Sequence, residues 1–176
     1  LEVLERDALA MNGARDESVA IDPSTLPPPF AQWAQSWRRQ GVELYVRHIP
    51  NEFGWPCFEA FVHEPASLDV DLATGSGLHT VREIALARAV TEAAQSRLSY
   101  IHGARDDITG FWTRYEAAQR ETWAAREDRL LARLREGARA SIAFDAVPRP
   151  AALRRDVQST LHEVLQRMAA RGFRVV

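Results

Sequence analysis

The sequence predicts an α+β fold, a mixed or antiparallel β-sheet backed by long α-helices. Three observations carry that expectation. Short strand-like segments cluster in the first half of the chain. Long segments of helical period fill the second half, over residues 81–101, 111–139 and 151–171. Glycine and proline punctuate the boundaries between them.

The first residues, from Leu1 to Ala10, read as helix from the start, with Leu1, Leu4 and Ala8 at helical spacing. Residues 12–29 read as a loop closing in Leu26-Pro27-Pro28-Pro29, where helix is excluded. Residues 30–40 form a short helix with Trp33 and Trp37 one turn apart, ended by Gly41. Val42 to Val46 alternates like a strand, and a turn around Pro50 to Pro56 leads to a second strand, Cys57 to His63. A third is expected at Leu68 to Leu72, with Asp69 and Asp71 on the face opposite Leu68, Val70 and Leu72. Gly75-Ser76-Gly77 then reads as a glycine-rich turn into the helix over 81–101. A charged helix covers 111–139, and an amphipathic one covers 151–171 after Pro148 and Pro150. Residues 172–176 read as the beginning of a strand, and the helix at residue 1 lacks a cap and a methionine, so an internal portion of a longer protein is expected.

Composition narrows the chemistry. The 176 residues, 46% hydrophobic and 26% charged, suit one globular domain, with no apolar run long enough to span a membrane. A net charge of −2 argues against a broad electrostatic grip on nucleic acid. All 22 basic residues are arginine, which removes a phosphate-binding lysine and every Schiff-base mechanism. Anions must meet guanidinium forks or backbone amides. The single cysteine, Cys57, excludes an internal disulfide and multi-cysteine zinc sites and makes a reducing, cytoplasmic setting the expectation.

Thr80-Val81-Arg82-Glu83 has the form of a capping box, so free N–H groups at the helix mouth could face an anion. Along this helix Ala87, Val90, Ala94, Leu98 and Ile101 make an apolar face. Arg88, Glu92, Gln95 and Ser99 share a polar one, either solvated surface or the wall of a site. Glu2 and Glu5 lie one turn apart on the first helix. Carboxylates on two helices facing one cleft are what a hard divalent ion bridging phosphates requires.

Residues 75–97, Gly-Ser-Gly-Leu-His-Thr-Val-Arg-Glu-Ile-Ala-Leu-Ala-Arg-Ala-Val-Thr-Glu-Ala-Ala-Gln-Ser-Arg, resemble the YcaO family, as does the continuation Ile101-His102-Gly103-Ala104-Arg105-Asp106-Asp107-Ile108. Leu1-Glu2-Val3-Leu4-Glu5-Arg6-Asp7-Ala8 is similar to that family's earlier ATP-site helix, the latter part of a Ser-x3-Glu-x2-Glu-Arg pattern whose serine would precede residue 1. The resemblance implies a single incomplete YcaO-like domain over 1–176 that lacks its N-terminal and C-terminal portions. It implies an ATP- and Mg2+-dependent enzyme that phosphorylates a peptide backbone amide oxygen, giving an azoline or a thioamide. Glu2, Glu5, Glu92 and Gln95 would be magnesium ligands, and Arg88, Arg97 and Arg105 phosphate contacts. The form of residues 95–108 is similar to members that work with a TfuA-type partner in thioamide formation. A peptide or protein substrate, a TfuA-like or leader-binding partner and homodimerisation are the implied associations. The alternative is a non-catalytic module that recognises a partner or leader peptide. His79 reads as a helix cap, Cys57 as a core thiol, Asp106 and Asp107 as loop-ordering groups, and His48, His63, His102 and His162 as incidental.

Overall fold

A computed structural model describes residues 1–65, 72–101, 117–149 and 156–174. Four strands, β1 (Val19–Ile21), β2 (Glu43–His48), β3 (Cys57–His63) and β4 (Leu72–Leu78), form an antiparallel sheet in the order β1-β2-β3-β4. Among the described residues five α-helices accompany it: α1 (Glu2–Arg15), α2 (Phe30–Arg39), α3 (Arg82–Ile101), α4 (Ala117–Gly137) and α5 (Val157–Ala169). The α+β expectation holds, and α2, β2, β3 and α3 lie within a few residues of their predicted positions.

Strand alternation sorts the side chains onto two faces. Leu44 and Val46 of β2, Phe58, Ala60 and Val62 of β3 and Ala73 of β4 share a core with Phe30 and Ala34 of α2 and with Ala85, Leu86, Ala89, Val90 and Ala93 of α3. The apolar face of α3 is therefore offset from the predicted one. Val90 belongs to it, Ala87 and Ala94 are half-buried, and Leu98 is exposed. A second cluster joins Leu4 and Ala8 of α1, Ile49, Phe53 and Trp55 of the β2–β3 turn, Cys57, Leu78 and Val164 of α5. Trp33 stacks on Trp37 at 6.5 Å between centroids, yet Trp33 stays exposed.

Gly75-Ser76-Gly77 is not a turn into a helix. It lies within β4, paired in turn with Ala60, Glu59 and Phe58 of β3. Gly75 and Gly77 face α3 at backbone contact: a Cβ at Gly75 would lie 2.2 Å from the Ala93 nitrogen, and one at Gly77 2.2 Å from the Ala85 carbonyl oxygen. The glycines serve close helix–sheet approach rather than a phosphate cradle. The capping box is also absent. His79 Nδ1 accepts from the Val81 N–H at 2.9 Å, whereas Thr80 Oγ1 has no partner among the described residues. Glu83 turns to Arg82 and Arg149. Arg82, buried, donates to the Phe144 and Val147 carbonyls and to Asp145, lying 4.2 Å over the Phe144 ring, and so ties the start of α3 to residues 144–147.

Three other boundaries differ from the prediction. The expected loop over 12–29 contains the end of α1 and the short strand β1, which pairs with β2 and bridges Ile21 to Ile142. Of the strand expected at 68–72, only Leu72 lies among the described residues, and it opens β4. Residues 111–116 and 151–155 of the two late helices fall outside the described residues; α5 is capped by Asp156, which accepts from the Ser159 N–H at 2.7 Å. Residues 172–174 form no strand; Phe173 packs on Phe53 with ring centroids 5.7 Å apart.

Two outcomes follow. Gly75→Ala forces α3 off the strand and lowers unfolding free energy by about 2–3 kcal/mol, read as a lower urea midpoint at unchanged slope. His48 sits at the end of β2 against Phe58, and burial pulls its imidazole down to about 4. The folded state thus holds His48 neutral where the unfolded chain, with a value near 6.5, takes up a proton. Stability from this residue is complete above pH 6.5 and is lost as the pH falls toward 4, and His48→Gln removes up to about 3 kcal/mol of that acid loss.

Candidate functional site

The outer edge of β4 is where the predicted residues meet. As the last strand of the sheet among the described residues, β4 has backbone groups with no neighbouring strand there, and such groups need other partners. The Leu78 N–H donates to Glu5 Oε2 at 2.8 Å, and the Ser76 N–H donates to Glu92 Oε2 at 3.0 Å. The Leu78 carbonyl accepts from Arg88 Nη1 at 2.8 Å. Side chains from α1 and α3 therefore close the strand edge in place of a fifth strand.

These contacts draw the side chains together. Ser76 Oγ donates to Glu5 Oε1 at 2.7 Å and lies 3.4 Å from Glu92 Oε2, so one hydroxyl joins carboxylates carried by two helices. Arg88 Nη2 lies 3.1 Å from Glu5 Oε2 and 3.4 Å from Glu2 Oε2. Glu2 also pairs with Arg6 one turn on, at 3.2 Å. Glu5 is 4% exposed, whereas Glu2 and Glu92 are open to solvent. Together Glu2, Glu5, Arg6, Leu9, Ser76, Arg88 and Glu92 line an open cleft of about 420 Å³.

Four of the seven residues singled out in the sequence, Glu2, Glu5, Arg88 and Glu92, thus line one cleft. Gln95 is exposed one turn beyond Glu92 and does not line it. Arg97 is held by Glu64, just past the end of β3, and is also outside it. Arg105 lies outside the described residues, as do His102, Asp106 and Asp107. Ser76, Arg6 and Leu9 are additions. The isolated serine between two glycines was the available signal for Ser76, once the segment is read as a strand with alternate residues facing α3.

The donor set suits a hard cation. Three carboxylates offer oxygen donors, and Arg88 places a positive charge beside Glu2 and Glu5. In the present side-chain arrangement, no three His, Cys, Asp or Glu side chains among the described residues converge as a metal-binding group. The oxygens of Glu5 and Glu92 are occupied by Ser76, Leu78 and Arg88. Two neighbours are chemically quiet. Burial first, then Arg88, holds His79 below the usual histidine value, and its Nδ1 already caps the α3 mouth. Burial, followed by the charges of Glu5 and Glu59, pushes the Cys57 thiol up to about 12.

A family model described as YcaO cyclodehydratase, ATP- and Mg2+-binding, matches residues 1–176. An uncharacterized protein of Methanothermobacter thermautotrophicus is 36% identical over 110 residues, covering 61% of this chain and 29% of that protein. An uncharacterized protein of Rhizobium leguminosarum bv. trifolii, named for its place in the tfuA 3′ region, is 32% identical over 120 residues, covering 61% of this chain and 28% of its own. The chain thus spans under a third of the length of these relatives. Among solved structures, the heterocyclase TruD superposes with a TM-score of 0.66 over 98% of this chain and 23% of that one, at 20% identity, a likeness of fold. Among the described residues no helix is long and apolar enough to cross a membrane.

A buried thiol with so high a value is not a nucleophile at neutral pH. Cys57 is expected to react with a disulfide reagent at pH 8 only as fast as the protein unfolds; rapid labelling of the native protein would contradict this.

Proposed function

The chain belongs to the YcaO cyclodehydratase family, and from that premise we propose that it contributes the nucleotide-facing wall of an enzyme that activates peptide backbone amides. The observation that supports this reading is the meeting of Glu2 and Glu5 from α1 with Glu92 from α3 around Ser76, in a cleft that also holds Arg88. Magnesium–ATP bound there would supply a phosphoryl group to the amide oxygen, converting it into a phosphate leaving group while a nucleophile takes the carbonyl carbon.

Within this proposal each residue has a definite task. Glu2, Glu5 and Glu92 would hold the cation through carboxylate oxygens, and Gln95, which does not line the cleft, stays an expectation from the sequence motif. The Leu78 N–H and Ser76 hydroxyl fix the Glu5 carboxylate before any ligand arrives, which limits the reorganisation that binding requires. Arg88, anchored on the Leu78 carbonyl, presents a guanidinium at the cleft and is the favoured phosphate contact. Arg97, engaged by Glu64, is less available for that role, and Arg105 remains an expectation from the sequence motif.

The product class divides two ways. Attack by a neighbouring Cys, Ser or Thr side chain gives an azoline, the outcome named by the family description as cyclodehydration. Attack by external sulfide gives a thioamide, and the relative encoded in a tfuA 3′ region favours a TfuA-type partner for that route. A non-catalytic module that recognises a partner or leader peptide is the competing reading.

Calorimetric titration with magnesium–ATP tests the proposal. Binding is expected, and Glu92→Ala should weaken it at least tenfold without unfolding the protein, because Glu92 is exposed. Failure of the folded protein to bind, or indifference to Glu92→Ala, would move the assignment to the recognition module. Glu5→Ala is the poorer variant: it leaves the buried Leu78 N–H without its partner and takes from Arg88 one of its two carboxylates, at a stability cost of about 3 kcal/mol.

A further inference from the structure

A second cleft, of about 500 Å³, lies against the same face of the sheet near the C-terminal end of α1. Asn12, Gly13 and Asp16 of that end form one wall, Arg47 of β2 and Glu59 and Phe61 of β3 the floor, and Arg126, Arg129, Leu130, Arg133 and Leu134 of α4 the other wall. Its charges are unequally matched. Arg133 pairs with Asp16, and Arg47 donates to Ser18 Oγ at 2.8 Å and to the Ser18 carbonyl at 2.7 Å. Arg129 reaches only the carbonyl of Ala125 on its own helix, at 3.0 Å. The Arg126 guanidinium has no hydrogen bond or ion pair among the described residues. Two guanidinium groups, three residues apart on α4, therefore face the cleft without an acidic partner among the described residues.

The floor adds a different demand. Glu59 stands opposite Arg47 in the β2–β3 register and opposite Ser76 in the β3–β4 register, yet its carboxylate has no hydrogen bond among the described residues. Its carboxyl titrates above the ordinary range because burial outweighs the attraction of Arg47. Phe61 makes the rest of the floor apolar, and buried Leu134 with half-buried Leu130 makes the α4 wall partly apolar. A free phosphate would engage the arginines and leave the carboxylate and the apolar wall unused. The volume is that of a ligand with several functional groups.

We propose that this cleft binds an extended acidic peptide segment, with carboxylates on Arg126 and Arg129, an apolar side chain against Leu130, and main-chain N–H donors toward Glu59. The identity of the occupant rests on the peptide-modifying function proposed above. Because α1 walls both clefts and Glu59 neighbours Ser76 across the sheet, a segment held here is tethered one strand from the carboxylate cleft.

The test uses a fluorescein-labelled octapeptide of alternating glutamate and leucine, followed by anisotropy without nucleotide. Binding is expected to weaken at least tenfold in the Arg126→Glu/Arg129→Glu double variant and to fall between 50 and 300 mM salt, the response of screened surface charges. The Arg38→Ala/Arg39→Ala variant on α2, away from the cleft, should bind unchanged. Equal binding of the lysine–leucine counterpart, indifference to the α4 double variant, or no binding by the folded protein would overturn the proposal. So would displacement by inorganic phosphate at the peptide's own concentration, which would make this a simple anion site. Since nucleotide is absent, failure of magnesium–ATP to bind leaves this measurement intact, and a negative result here leaves the calorimetric outcome intact.

Discussion

The contact on which the rest depends is between backbones: β4 lies against α3 at Gly75 and Gly77 with no room for a side chain. That approach does more than close a core. It sets the flank of α3 carrying Arg88 and Glu92 level with the outer edge of β4, where side chains can reach the strand's own N–H and C=O groups. A helix held away by even an alanine methyl would leave Glu92 short of the Ser76 N–H. The alanines at positions 85, 89 and 93 of α3 answer the glycines, because small residues on both partners are what permit so short a separation.

The edge strand makes two roles of one set of residues. Exposed strand edges invite pairing with other chains, and proteins blunt them with charge or cover them. Here Glu5 and Glu92 terminate the ladder by accepting from its unpaired N–H groups, so they have a structural purpose in the free protein. The same bonds hold both carboxylates around Ser76, at the cleft where the proposed cation would bind. Structure and proposed function therefore predict different consequences for different residues. Loss of buried Glu5 is felt first in folding, whereas loss of exposed Glu92 is felt first at the cleft.

How legible this was depended on the local signal. Cys57–His63 alternates or stays apolar throughout, and its strand is found at the predicted residues. The long period of α3 was equally plain. β4 was missed because Ala73, Gly75 and Gly77 erase the contrast on which alternation depends: its buried face consists of residues too small to look buried. β1 is three residues long and owes its existence to β2 and Ile142, partners far away in sequence. The capping box failed because His79 supplied the acceptor one position earlier and Glu83 found arginines instead. In the site, motif spacing picked out Glu2, Glu5, Arg88 and Glu92, yet it could not show that Arg97, two residues from Gln95, turns to Glu64. Spacing along a helix assigns a side chain to a face; it does not say which neighbour wins it.

The two faces of the sheet carry the last step. The face toward α3 is built from Leu44, Val46, Phe58, Ala60, Val62 and Ala73, packed against α2 and α3. The opposite face runs Arg47, Glu59 and Ser76 across three adjacent strands, in register and under α1. Apolar anchoring of α1 is confined to Leu4, Ala8 and Leu9 over the second cluster. Its two ends are thus left beside polar residues, Glu2 and Glu5 at one cleft and Asn12 and Asp16 at the other. Partly buried charge in such a row costs desolvation energy that an apolar pair would avoid. That cost falls on the face that carries both clefts beside the second apolar cluster, while the face toward α3 is apolar throughout.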